Sequence, residues 1–219
     1  MKKTGDILDI LAGPSRNTNK FTHRSPINLH EFYLSGHIES SEEYVDWFDI
    51  IRNSGPNDII KIYINSYGGD LFTAIQFYRV LKETEASIIV SVEGACMSAA
   101  TILFLCGDQV EVSEHSMFMF HNYSGGARGK GGEMLDQLLH ERTWSEKLMR
   151  DVYNDFLTDE EIDAMLDNKD IWMDGEQVIE RLHAKIEKQK DVEEELVEDV
   201  VEEEVPAKKT RKRKAKTEE

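Results

Sequence analysis

A chain of 219 residues with 40% hydrophobic and 9% aromatic content has enough apolar material for one domain with a full core, plus appendages. Its net charge of −17 argues against nucleic-acid binding by the body of the protein, because a phosphate backbone needs a positive surface. No run of about 18 apolar residues occurs, and the opening MKKTGDILDILAG is too short and too often broken by Asp for a secretory core, so a cytoplasmic protein without a membrane segment is expected.

Residues 1–26 scatter Gly, Pro, Asn and Thr and read as a loop segment ahead of the domain proper, 27–186. Glu31 to Gly36 predicts a short strand. Glu42 to Asn53 predicts a helix behind Ser40 and Ser41, with Tyr44, Val45, Phe48 and Ile51 near helical spacing. The β-branched run Ile59 to Asn65 predicts a strand that ends in the turn Ser66-Tyr67-Gly68-Gly69, and helical periodicity returns from Asp70 to Thr84. Ser87 to Val92 predicts the next strand, Ser98 to Cys106 an apolar helix, and Gln109 to Val112 and Met117 to Phe120 two further strands. Strands alternating with helices in this way predict an α/β domain with right-handed crossovers.

After His121 the pattern changes. Gly125 to Gly132 is polar and glycine-rich, and it leads into a long helical pattern from Glu133 to about Phe156. Leu157 to Leu166 predicts a small helix with Thr158 and Glu161 spaced as a capping box. Asp170 to Met173 reads as extended, and Asp174 to Ile186 as a closing helix. The segment 187–219 holds 12 acidic and 9 basic residues, a net of −3 that leaves −14 for residues 1–186. Its acidic block, DVEEELVEDVVEEEV, and basic block, KKTRKRKAK, have the composition of a disordered charged tail. Two other readings stay open: Val192, Leu196, Val200 and Val201 as one face of a docking helix, and the basic block as a weak tether to nucleic acid or an acidic surface.

Ser98 lies at a strand-to-helix junction within Val92-Glu93-Gly94-Ala95-Cys96-Met97-Ser98-Ala99-Ala100-Thr101, where small residues let backbones approach closely. A hydroxyl there suits a nucleophile, because helix N-terminal amides favour developing negative charge; an ordinary N-cap serine is the competing reading. If the two parallel strands are neighbours, the Gly68 and Ala99 amides can point into one crevice and form an oxyanion hole. A nucleophilic serine also needs a base and an orienting acid. His121 ends an apolar strand, where a buried imidazole without purpose is costly, whereas the other six histidines lie amid polar sequence and read as surface groups. Asp170 precedes an apolar Ile-Trp-Met run and so is expected to be partly shielded. Cys96 and Cys106 are spaced too widely for a C-x-x-C motif and are consistent with a reducing compartment; burial as a small apolar residue explains Cys96 more simply than a role as alternative nucleophile.

These residues closely resemble the proteolytic subunit of the Clp protease family over roughly Ile27 to Ile186. Tyr-Leu-Ser-Gly-His-Ile resembles its opening strand, and Ile62 to Gly69 its oxyanion strand and turn. Gly94 to Ala99 resembles the nucleophile motif, His121-Asn122-Tyr123 the histidine motif, and Asp170 to Glu176 the aspartate segment. The resemblance implies a ClpP/crotonase-like fold of repeated β-β-α units with a protruding handle helix. It implies Ser98 as nucleophile, His121 as general base, Asp170 as its orienter, and the Gly68 and Ala99 amides as the oxyanion hole. It further implies homo-oligomeric, heptameric rings enclosing the sites, a hexameric AAA+ unfoldase that consumes ATP, and unfolded proteins or peptides as substrates. No cofactor or metal is expected on this chain itself. Three positions differ from the family's usual pattern: Tyr67 and Tyr123 stand where proline is common, and Lys169 where an arginine precedes the aspartate. Lysine lacks the planar bidentate contacts of arginine.

Rival readings follow from the same residues. A crotonase-type acyl-CoA enzyme shares the paired amides but needs no Ser-His-Asp set. A Ser-Lys signal-peptide peptidase would want a membrane segment. A phage capsid-precursor maturation protease and a catalytically inactive scaffold of the same fold complete the alternatives.

Overall fold

Side chains are buried at Ile60, Ile62 and Ile64 and again at Ile88, Val90 and Val92, and half-buried at the positions between, the period-two pattern of strands with one face against a core. These runs form the middle of a six-stranded sheet in the computed structural model, which describes residues 27–187. The readings made for 1–26 and for the charged tail beyond 187 lie outside the described residues.

The strands are β1 (Leu29–Ile38), β2 (Ile59–Gly69), β3 (Ser87–Met97), β4 (Gln109–Val112), β5 (Met117–Phe120) and β6 (Ile171–Asp174). They lie in the order β1-β2-β3-β5-β6, with β4 also paired to β3. All pairs are parallel except β5 with β6. The long strand β3 therefore serves two short neighbours in succession: Ile89 to Val92 pair with β4, and Ala95 to Met97 pair with β5. The change of partner falls at Glu93 and Gly94. There the β2–β3 ladder shifts register, and the Asn65 side chain fills the gap by accepting the Ala95 amide at 3.0 Å. A side chain on Gly94 would meet Asn65 Oδ1 at 2.7 Å, which accounts for the glycine.

Helices pack on the apolar face of the sheet. A 3₁₀ turn (Ser41–Tyr44) leads into α1 (Val45–Asn53), and α2 (Leu71–Glu83) starts where the Asp70 carboxylate accepts the Thr73 amide at 2.7 Å. Phe48 and Ile51 of α1 and Ala74, Phe77, Val80 and Leu81 of α2 cover Phe32, Leu34 and the β2 isoleucines. Burial of each such isoleucine contributes about 1.5–3 kcal/mol. The short α3 (Ala100–Phe104) is buried along its whole length. After it come α4 (Gly131–Tyr153), α5 (Asp159–Leu166) and a last helix, α6, over 175–187. Thr158 and Glu161 form the expected capping box at the start of α5. Only the C-terminal part of α4 is anchored, through Ser145, Met149, Val152 and Tyr153, and its N-terminal turns hold Leu135, Leu138 and Leu139 in the open. A second aromatic cluster of Phe104, Phe118, Phe120, Tyr153 and Phe156 fastens that anchored end to α3 and β5.

The α/β class and the long protruding helix match the sequence-based expectation. Three boundaries do not. Strand β2 runs to Gly69, four residues past Asn65, because the stretch read as a turn stays paired with the end of β1 through a register shift at Gly36 and His37. Strand β3 runs to Met97, five residues past Val92, because its second half gains β5 as a partner that local sequence does not reveal. Helix α3 begins at Ala100, so Ser98 stands in the turn between strand and helix and is not a capping residue.

Candidate active site

The turn after β3 is the centre of the site. Ser98 has φ +54°, a left-handed conformation that costs a non-glycine residue about 1–2 kcal/mol. Its amide donates to the Met119 carbonyl at 2.8 Å, which ties the turn to β5 and hence to the residue that follows β5. That residue is His121. Its Nε2 lies 2.6 Å from Ser98 Oγ, a hydrogen bond in which the neutral imidazole accepts the serine proton when Nδ1 carries the ring hydrogen. Both side chains are half-buried.

Gly68 closes the turn from the other side. Its φ is +91°, and a Cβ built on it would fall 2.6 Å from Ser98 Cβ, 2.7 Å from the Met97 carbonyl oxygen and 3.0 Å from the Ala99 nitrogen. Only glycine permits this approach. The two expected amides are thus adjacent, but they differ in state. The Gly68 amide donates to Ser66 Oγ at 3.1 Å, and that buried hydroxyl donates to the Gly36 carbonyl at 2.6 Å. The Ala99 amide has no acceptor among the described residues.

Asp170 departs from its expected environment. It is exposed, not shielded, and no hydrogen bond joins it to His121. The reason lies in the ladder: pairing of β5 with β6 ends at Phe120 and Ile171, one position short of His121 and Asp170. Asp170 therefore sits at the end of the loop through Asn168 and Lys169, open to water. The structure brings together Ser98, His121, Gly68 and Ala99 and leaves Asp170 apart. Cys96 is fully buried and its thiol is pushed well above the ordinary range by burial, which removes it as a rival nucleophile; Cys106 is pushed up to about 12 for the same reason.

A cavity of about 490 Å³ opens beside Ser98, walled by Phe72, Ile102, Trp144 and Met149. Phe72 stacks on Trp144 with ring centroids 5.7 Å apart, so α2 and α4 meet in the wall of the cavity. Tyr123 donates to Glu141 at 3.3 Å and packs edge-on against Trp144. Burial and the neighbouring Glu141 carboxylate hold the Tyr123 phenol above its usual range. His140, read from sequence as a surface imidazole, is exposed yet also lines this cavity. Sequence reasoning did not find the wall. Phe72 and Trp144 sit on different helices 72 residues apart in the chain, and neither breaks the periodicity of its own helix.

A family model described as Clp protease matches residues 35–181. The ATP-dependent Clp protease proteolytic subunit 1 of Salinibacter ruber is 27% identical over 134 residues, covering 59% of this chain and 57% of that protein. The ATP-dependent Clp protease proteolytic subunit of Deinococcus radiodurans is 26% identical over 124 residues, 49% of this chain and 61% of its own length. The protein of the same name from Oltmannsiellopsis viridis is 32% identical over 93 residues, 42% of this chain and 44% of its own. The chain thus spans about half the length of the curated relatives it matches.

Proposed function

We propose, from the premise that this chain belongs to the Clp protease family, that it is a serine endopeptidase cutting unfolded proteins or short peptides. The observation that carries this reading is the 2.6 Å contact between Ser98 Oγ and His121 Nε2 at a left-handed turn. Ser98 Oγ attacks the scissile carbonyl carbon while His121 takes the hydroxyl proton. The oxyanion that forms meets the unpartnered Ala99 amide and, once it turns from Ser66, the Gly68 amide; one such donor is worth about 10²–10³ in turnover. Collapse breaks the C–N bond, and His121 passes its proton to the leaving amine. A water then repeats the sequence on the acyl-enzyme and releases the carboxyl product. The cavity beside Ser98, with its aromatic and aliphatic wall, suits an apolar substrate side chain next to the cut.

In this reading the chain assembles into heptameric rings, an ATP-dependent hexameric unfoldase feeds the enclosed chamber, and no cofactor is held by the chain itself. The exposed Leu135, Leu138 and Leu139 on the protruding half of α4 support a contact between copies. A catalytically inactive scaffold is the second reading, and the observation favouring it is the exposed Asp170, without a bond to His121.

Fluorophosphonate labelling of the purified full chain, combined with sedimentation, tests both. The peptidase reading expects one label per chain at Ser98, its loss in Ser98→Ala, and a particle many times the single-chain mass of 25.2 kDa. An unlabelled wild type favours the scaffold. A fully active monomer removes the chamber and leaves the nucleophile.

A further inference from the structure

The left-handed turn at Ser98 needs something to hold it, since strained backbone persists only where its surroundings over-determine it. Two bonds converge on the Ser98 carbonyl from within α3: the Thr101 amide at 2.9 Å and Thr101 Oγ1 at 2.6 Å. Thr101 is fully buried, and its Oγ1 lies 2.7 Å from the hydroxyl of Tyr153, the last residue of α4 and itself buried. The direction of this chain follows from proton counting. A carbonyl cannot donate, so the single Thr101 hydroxyl proton points to Ser98, and Tyr153 is the donor to Thr101 Oγ1. The Tyr153 phenol is pushed above its ordinary range by burial and so stays protonated. Its ring also packs edge-on against Phe120, the residue before His121, with centroids 5.7 Å apart.

We propose that Tyr153 is a positioning residue for the nucleophile: its hydroxyl, through Thr101 Oγ1, locks the Ser98 turn, while its ring steadies the strand end that presents His121. The inference rests on Ser98 being the nucleophile and names the groups that hold it in place. Sequence reading assigns neither residue a role. Thr101 reads as one more small position in an apolar helix, and Tyr153 lies 52 residues away.

Tyr153→Phe removes only the hydroxyl and keeps the packing on Phe120, and Thr101→Val removes the relay oxygen at constant shape. Each is expected to lower both kcat on a short peptide and the fluorophosphonate labelling rate by about tenfold or more, as for a misplaced reacting group, with KM within about twofold. Thr101→Ser, which keeps the hydroxyl, is expected to retain wild-type kcat within about twofold, and the Tyr153→Phe/Thr101→Val double variant to be no worse than the weaker single, because both cut one chain of bonds. Wild-type kcat and labelling in folded Tyr153→Phe, or losses that multiply in the double variant, overturn the proposal. A readout independent of activity separates it from the peptidase reading: crystal structures of wild type and Tyr153→Phe should differ in Ser98 φ and in the 2.6 Å Ser98–His121 contact. If the wild type is inert but that contact opens in the variant, the Tyr153–Thr101 hold on the Ser98 turn stands as structure, while the peptidase reading, and with it a role in positioning a nucleophile, falls. If the contact is unchanged, the positioning role falls.

Discussion

Gly68→Ala is the sharpest perturbation of the site, because glycine there is required twice over. The added methyl would stand 2.6 Å from Ser98 Cβ, about 0.9 Å inside the shortest comfortable carbon–carbon separation of roughly 3.5 Å. It would also press on the Met97 carbonyl at 2.7 Å and the Ala99 nitrogen at 3.0 Å, both backbone atoms that cannot rotate away. The turn must therefore move by nearly 1 Å, and a shift of that size at reacting groups costs about 10²-fold in rate. The φ of +91° adds about 1 kcal/mol of strain on its own. Gly36→Ala is the internal control: its φ is +81°, but nothing lies within 4 Å of the new methyl, so it carries the strain without the collision. Fluorophosphonate labelling rates and thermal midpoints of both variants decide the matter. The expectation is similar small losses of stability from φ, a further loss in Gly68→Ala from the clash, and a labelling rate that falls only in Gly68→Ala. Labelling of folded Gly68→Ala at the wild-type rate would refute the steric argument and, with it, the tight apposition of the end of β2 and the Ser98 turn.

Two further tests address other parts of the molecule. Glu161 takes Arg181 in a two-bond pair at 2.6 and 2.8 Å, and this, together with the Thr158 amide, holds its carboxyl below the ordinary 4.5. A depressed carboxyl stabilises the fold above its unfolded pKa and loses that contribution as pH falls through the folded value. Glu161→Gln should thus cost about 1 kcal/mol at pH 7, by urea unfolding, with the difference from wild type shrinking below about pH 4.5; a difference constant down to pH 3 would exclude the ion pair as its source. For Asp170, replacement by Asn should lower kcat by about 10⁴ if the carboxylate orients His121 during turnover, and by less than about tenfold if the exposed position seen here is its working one.

Legibility followed locality. The middle of the sheet and the α5 capping box were readable, because each rests on residues a few positions apart, whereas Asp70, read as the first helical residue, is the N-cap of α2. The handle-like α4 was readable from its spacing, to within two residues at its start and three at its end. Strand β3 was cut short at Val92 because Gly94 and Ala95 have the composition of a turn, and only β5, more than twenty residues on, makes them a strand. The cavity wall and the Tyr153–Thr101 bond were invisible for the same reason: each joins elements whose sequences carry no mark of the other.

The placement of Ser98 and His121 shows why a short motif could be located without its geometry being known. Strand β5 has four residues, and three of them pair with β3. That pairing, extended by the Ser98 amide on the Met119 carbonyl, fixes where His121 leaves the sheet, so one register determines the distance between serine and histidine. Asp170 depends on a second, independent register, that of β5 with β6. Phe118 faces Met173, and both are buried, whereas Met119 faces Trp172 on the opposite side of the sheet. By the two-residue period of a strand, His121 and Asp170 fall on that same side as Met119 and Trp172. One more ladder pair would set the carboxylate opposite the imidazole. The residue identity at 170 is therefore compatible with an orienting acid, while its contact with His121 hinges on whether the β5–β6 ladder closes one position further than Phe120 and Ile171. A sequence motif carries the first of these facts and has no means of carrying the second.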